Sequence, residues 1–163
     1  MAHSTTVKNY RDGTLKIEDS AGATHTVQFE AGDFSVSGLL PNGKELATYL
    51  DRGDLASIRH TNVSFPSGSF SMHLTDITDA GYSTAADLML KKGSHGSAVS
   101  TLGANAEVYT VKLTLTIEGS DHGDSGGDHT IVLDDCACSV DIAEGDPNSM
   151  SVSFTCYGSI VLT

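Results

Sequence analysis

Nine consecutive residues, Asp121-His122-Gly123-Asp124-Ser125-Gly126-Gly127-Asp128-His129, hold the densest set of potential ligands in the chain. Alternating Asp and Gly in a tight loop can wrap Ca²⁺, because hard cations take carboxylate oxygens. The pattern departs from an EF-hand, with no Glu at the twelfth position in register and no flanking helices. Two His at this spacing would instead suit a transition metal. A solvated hairpin loop between two strands has the same composition, and the sequence favours that reading, so neither a cofactor nor a dedicated metal is expected. Cys136 and Cys138 form a C-x-C, and Cys156 lies further on. This is not zinc spacing, which pairs two C-x₂-C units.

Nucleophilic chemistry has no better footing. Ser, His and Asp are abundant, so triples arise by chance. No G-x-S-x-G elbow is present, and Gly81-Tyr82-Ser83-Thr84 does not supply one. Neither a G-x-x-x-x-G-K-[ST] nor a G-x-G-x-x-G at a strand-to-helix turn occurs. His60 and His73 fall at non-apolar positions of predicted strands, where an exposed or interface role fits better than a catalytic base. Basic residues interleaved with aromatics, as nucleic-acid grooves require, are missing. The chain is not expected to be an enzyme.

Composition sets the frame that must position these residues. A length of 163 residues suits one domain, spanning 1–163. Apolar content of 39% with strong alternation argues against disorder. No apolar run approaches the roughly 20 residues that a membrane helix needs. The first residues lack a basic and then an apolar region, so no secretory signal is expected. An odd number of cysteines then fits reduced thiols in a cytosolic compartment. Charge is uneven: residues 113–163 hold nine acids and no Lys or Arg, and so carry −9 of the net −12. Such a surface repels phosphate backbones. Asp121, Asp124, Asp128, Glu144 and Asp146 are its candidate loop or lumen acids.

The elements read as mainly antiparallel β-structure, a sandwich or barrel of seven to nine strands with one short flanking α-helix. Residues 14–18 and 24–30 alternate around Ser20-Ala21-Gly22 and predict a hairpin. Residues 34–38 predict a short strand. Residues 57–65 and 69–77 alternate around Pro66-Ser67-Gly68, with Phe70, Met72 and Leu74 on one face. Thr84 with Asp87 three residues later has capping-box spacing. Leu88, Met89 and Leu90 follow, then Lys91, Lys92 and Gly93 as the expected terminator. Residues 108–118, 129–142 and 150–162 close the chain as strands. Pairing centred on the 144–149 turn would place Cys138 opposite Cys156, as two small buried side chains or a disulfide.

Residues 39–54 read as an irregular connection, longer than the usual 4–6 residues. The segment mixes Leu39, Leu40, Leu46, Tyr49 and Leu50 with Arg52 and other charges. These six are the candidate subunit-contact residues, since apolar groups on such a segment suit an interface. A lid over the core would explain the same composition.

Several segments in order resemble the tail tube (major tail) proteins of long-tailed bacteriophages, or a related virion structural protein. They are Asp12-Gly13-Thr14-Leu15-Lys16-Ile17, Phe29-Glu30-Ala31-Gly32-Asp33-Phe34, Asp51-Arg52-Gly53 and Gly68-Ser69-Phe70-Ser71-Met72-His73-Leu74-Thr75-Asp76-Ile77, with the closing strands. The likeness covers most of the chain as order and composition. It implies a self-assembling structural subunit with no chemistry of its own. Hexameric rings would stack into a hollow tube whose partners are further copies and other phage tail proteins. DNA would pass through without specific binding, and no membrane is involved. The location implied is the virion tail, after assembly in the host cytoplasm. A capsid decoration or head–tail connector protein, and a Ca²⁺-dependent β-sandwich binding module, are the alternatives.

Overall fold

Strict alternation shapes the core. In Val111–Ile117 the buried residues are Val111, Leu113, Leu115 and Ile117, so one face of the strand packs while the other meets polar surroundings. In a computed structural model, which describes residues 13–28, 31–75, 84–117 and 127–163, this strand is β7. Before it come β1 (Gly13–Glu18), β2 (Thr24–Thr26), β3 (Ser35–Ser37), β4 (Lys44–Asp51), β5 (Asp54–Val63), β6 (Ser67–His73) and α1 (Ala85–Leu90). After it come β8 (His129–Ala143), β9 (Ser149–Cys156) and β10 (Ile160–Leu162).

Eight strands form one antiparallel sheet in the order β2-β1-β7-β8-β9-β6-β3, with β10 also paired to β8. The remaining two, β4 and β5, form a separate two-stranded sheet. The chain is therefore all-β and mainly antiparallel, with one short α-helix among the described residues. The large sheet does not close, since β2 and β3 end it without pairing to each other among the described residues.

Register brings the apolar residues of neighbouring strands onto one face. Leu15 and Ile17 oppose Leu115 and Leu113, and Phe70 and Met72 oppose Val152 and Met150. Ala85, Ala86, Leu88 and Met89 of α1 belong to the same buried cluster. Phe34 stacks on Phe154 at 5.7 Å, and Phe70 lies 6.3 Å from Phe154. Each such side chain gains roughly 1.5–3 kcal/mol from burial. Gly68 opposes Phe154, and a Cβ there would sit 2.0 Å from the Ser35 carbonyl oxygen and 2.5 Å from Phe154 Cζ. Only glycine fits beneath that ring.

Within β8, Leu133 and Cys136 are three apart, yet both are buried. A bulge reconciles them: Leu113 pairs Leu133 and Val111 pairs Cys136, with Asp135 at φ 54°. β9 and β10 run back along β8 as one return strand broken at the same place, pairing Cys156 with Cys136 and Ile160 with Leu133. Gly158 sits there because a Cβ would meet Asp135 Oδ2 at 2.6 Å.

Thr84 caps α1, its Oγ1 accepting from Asp87 N–H at 3.1 Å. The helix ends at Lys91 (φ 52°), two residues before the expected Gly93. Tyr109 explains the difference. Its hydroxyl donates to the Leu88 carbonyl at 2.7 Å, and its ring lies 5.7 Å from Lys91 Nζ. Gly93 instead opens a 3₁₀ turn, Gly93–His95. Burial first, then Asp19 and Cys138, pushes the Tyr109 phenol up to about 12. Asp19 anchors the β1–β2 turn, where Oδ1 accepts from Ala21 and Ala23 N–H at 2.9 and 2.7 Å. Its Oδ2 accepts from Val99 N–H at 2.9 Å, tying in the loop after the helix.

Two expectations need correction. Residues 39–54 are not an irregular connection but a 3₁₀ turn (Pro41–Gly43), strand β4 and the turn into β5. Their apolar residues were too scattered to show an alternating buried face, because this strand buries none. Cys138 opposes Phe154, and Cys136 is the residue opposite Cys156. The pairing already closes at Ala143↔Ser149, which shifts the register from the one a centred six-residue turn would set.

Candidate functional site

The β4–β5 hairpin is built by its turn. Arg52 and Gly53 both have positive φ (49° and 97°), as a two-residue primed turn requires, so the strands leave it with the natural twist. The partners then follow as Leu50↔Leu55, Tyr49↔Ser57, Thr48↔Ile58, Leu46↔His60 and Lys44↔Val63. Leu55, Ile58 and Val63 are spaced by three and by five, so a regular strand would divide them between its faces. Register shifts at Tyr49/Leu50 and at Lys44/Leu46 leave extra residues in β5. Paired residues share a face, so all three join Leu46 and Leu50.

The result is a hairpin with five large aliphatics on one face in water, where Lys44, Thr48 and His60 accompany them. Leu46, Leu50, Leu55, Ile58 and Val63 are 59, 63, 59, 54 and 56% exposed. Glu45, Ala47, Tyr49, Asp51, Asp54, Ser57 and Arg59 take the other face. Lys44, Arg52 and Arg59 balance Glu45, Asp51 and Asp54, so residues 44–63 have no net charge in a chain of −12.

At the hairpin base lies an open groove of about 530 Å³. Leu39, Leu40, Val63 and Phe65 line one side, and Tyr157, Ile160 and Leu162 the other. The Phe65 and Tyr157 rings stand 5.1 Å apart. The Ser64 N–H bond to the Gly43 carbonyl fixes the first side, and the Cys156 N–H bond to the Pro66 carbonyl ties it to the second.

The six predicted contact residues thus divide. Leu46 and Leu50 lie on the apolar face, Leu39 and Leu40 line the groove, Arg52 forms the turn, and Tyr49 lies on the opposite face. Leu55, Ile58 and Val63 escaped the sequence reading, and their off-period spacing was the available signal. The predicted acids do not converge. Asp128 lies just before β8, while Glu144 and Asp146 are in the turn after it, at the other end of the strand. Asp121 and Asp124 fall outside the described residues.

The thiols sit within the sheet, Cys136 and Cys156 buried and Cys138 half-buried, and the hydrogen bond with Cys136 draws the Cys156 thiol down. Cys156 donates to the Asp134 carbonyl at 3.1 Å, and burial pushes the Cys138 thiol up to about 12. Among the described residues, no three His, Cys, Asp or Glu side chains are placed to hold a metal. His60 and His73 are exposed. No helix among the described residues is long and apolar enough to cross a membrane.

No family model and no curated protein matches the chain. Solved structures do share its fold over essentially the whole length. One is a chain of an extracellular contractile injection system, the PVC sheath/tube terminator in the extended state, with TM-score 0.59 and 12% identity over 99% of both chains. Another, from the PVC sheath–tube complex in the extended state, gives 0.55 and 12% over 99% of both chains. A third, from the six-fold-symmetrised baseplate of the anti-feeding prophage, gives 0.53 and 8% over 100% of this chain and 97% of that one. The fold is therefore one found in contractile injection systems.

Proposed function

We propose that the chain is a self-assembling structural subunit of a tail tube, of the phage type that its sequence resembles or of a related injection tube. In such a particle it would form stacked, hexameric rings around a lumen. One observation carries this reading: five large aliphatic side chains share one face of a projecting hairpin, each more than half exposed. Monomers rarely leave such a face to water, and subunits bury it. Leu46 and Leu50, with Leu39, Leu40 and Arg52 beside them, are then the interface residues, and Tyr49 borders it.

The shared fold with sheath–tube and baseplate chains supports the reading. The acidic balance suits a lumen through which DNA passes without sticking. Asp128, Glu144 and Asp146 are the described candidates for that surface. Other tail proteins would be further partners, in the virion tail.

Negative-stain electron microscopy at high protein concentration, with light-scattering mass, tests the proposal. Rings or tubes of uniform width are expected. A monodisperse monomer, even with nucleating tail-tip components added, would sink it.

A further inference from the structure

We infer that the apolar face of one copy's hairpin seats in the groove at the base of the next copy's hairpin, head to tail. The inference rests on the self-assembly reading and names the receptor for the hairpin.

The turn end of the apolar face, Leu50 and Leu55, and the groove belong to the same chain but lie at opposite ends of one hairpin. Leu50 and Leu55 flank the turn, while Leu40 and Val63 stand at the base. Strand rise alone separates them by roughly 20 Å. The hydrogen-bonded ladder prevents the turn from folding back, so a hairpin cannot fill its own groove. A contact between two different patches is heterologous, and it propagates into a ring or filament instead of stopping at a two-fold dimer.

Charge points the same way. The hairpin is neutral within a chain of −12, so it approaches a second copy without repulsion. The far side of the groove belongs to the cation-free last third. Asp134 and Asp135 border it, their carbonyls accepting from Gly158 and Tyr157 N–H, and Asp134 Oδ2 from Ser159 Oγ–H at 2.7 Å. Asp134 already pairs with Lys112 at 3.9 Å, so Arg52, at the turn, would meet Asp135 beside Gly158. The groove also offers a backbone: β10 pairs only with β8 among the described residues, so its other edge is open to a hairpin strand.

Two full-length variants test this. Leu55→Asp spoils the hairpin face and Leu162→Asp the groove, and both residues are exposed in the monomer. Each should raise the concentration at which assembly begins by about tenfold or more, as loss of one buried leucine predicts. Circular dichroism and thermal melting should stay those of the parent, which shows that both variants fold. Mixed, the two retain one intact contact per pair and should give a 1:1 dimer by light scattering. In parallel, a Leu55→Cys/Ser159→Cys double variant treated with a short bismaleimide should give a ladder of oligomers. If the parent assembles while Leu162→Asp assembles equally well and the ladder is absent, the head-to-tail contact is overturned and the tail-tube reading survives. If the parent never assembles, both fail.

Discussion

β8–β9 and β4–β5 are both long antiparallel hairpins in which bulges correct the phase of the apolar residues. In β8 the bulge at Asp134–Asp135 brings Leu133 and Cys136 to the same face, and both are fully buried. In β5 the bulges bring Leu55, Ile58 and Val63 to one face, and all three are more than half exposed. The chain thus gathers apolar side chains with the same device in two places, and covers them in one. The difference teaches that bulges can align an apolar face without anything in the monomer to cover it, which is the feature the proposed interface rests on.

The sharpest way to break the comparison is to shorten one leucine on each side of it. Leu133→Ala should cost about 3–4 kcal/mol in urea unfolding, the usual price of a core cavity. Leu55→Ala should stay within about 0.5 kcal/mol of the parent monomer while weakening assembly. Equal losses of stability at both sites would show that the hairpin face is covered in the monomer.

Gly68→Ala should be next in size. Its Cβ has no room between the Ser35 carbonyl and the Phe154 ring, so a loss of about 1–3 kcal/mol is expected by the same measurement. Gly53→Ala, with nothing near its Cβ, tests backbone conformation alone.

A pair of deletions sharpens the role of the β5 bulge. Removing Ala56 alone makes the pairing regular and leaves Leu55 and Ile58 on one face, so assembly should persist. Removing Ala56 and Ser57 puts Leu55 and Ile58 on opposite faces. Its onset concentration should rise by about tenfold, the equivalent of one lost apolar contact. Sedimentation against concentration reads both.

The smallest effect concerns pH. Burial, and then the nearby His95, hold His25 below its ordinary 6.5. The unfolded chain therefore takes up this proton at a higher pH than the folded one. The contribution to stability is present above pH 6.5 and is lost as pH falls through the folded value. His25→Gln should flatten the acid limb of a plot of Tm against pH below 6.5, and an unchanged limb would assign the effect elsewhere. His25 lies on β2, at the edge of the covered sheet, so this measurement leaves the hairpin untouched.

Much of the fold was legible because buried faces impose a period. Val111, Leu113, Leu115 and Ile117 announce β7, and Leu15 and Ile17 announce β1. Thr84 and Asp87 announce the start of α1, since a cap is a local event. The end of that helix was not legible, because Tyr109, almost twenty residues on, supports the left-handed Lys91. β4 escaped for the opposite reason to β7: with no side buried, its residues obey no inside–outside rule. The candidate site was visible in part, through Leu46 and Leu50. Leu55, Ile58 and Val63 stayed hidden because their spacing makes sense only once bulges are in place.

By itself, the sequence determined the all-β class, the short helix and the acidic last third. Composition, alternation and caps act over a few residues and leave their mark there. Only the tertiary structure decided the Cys136–Cys156 register, the separation of β4–β5 from the main sheet, and the uncovered face that these strands share. Each depends on which strand lies beside which, and that is settled by pairing and bulges between residues far apart in the chain.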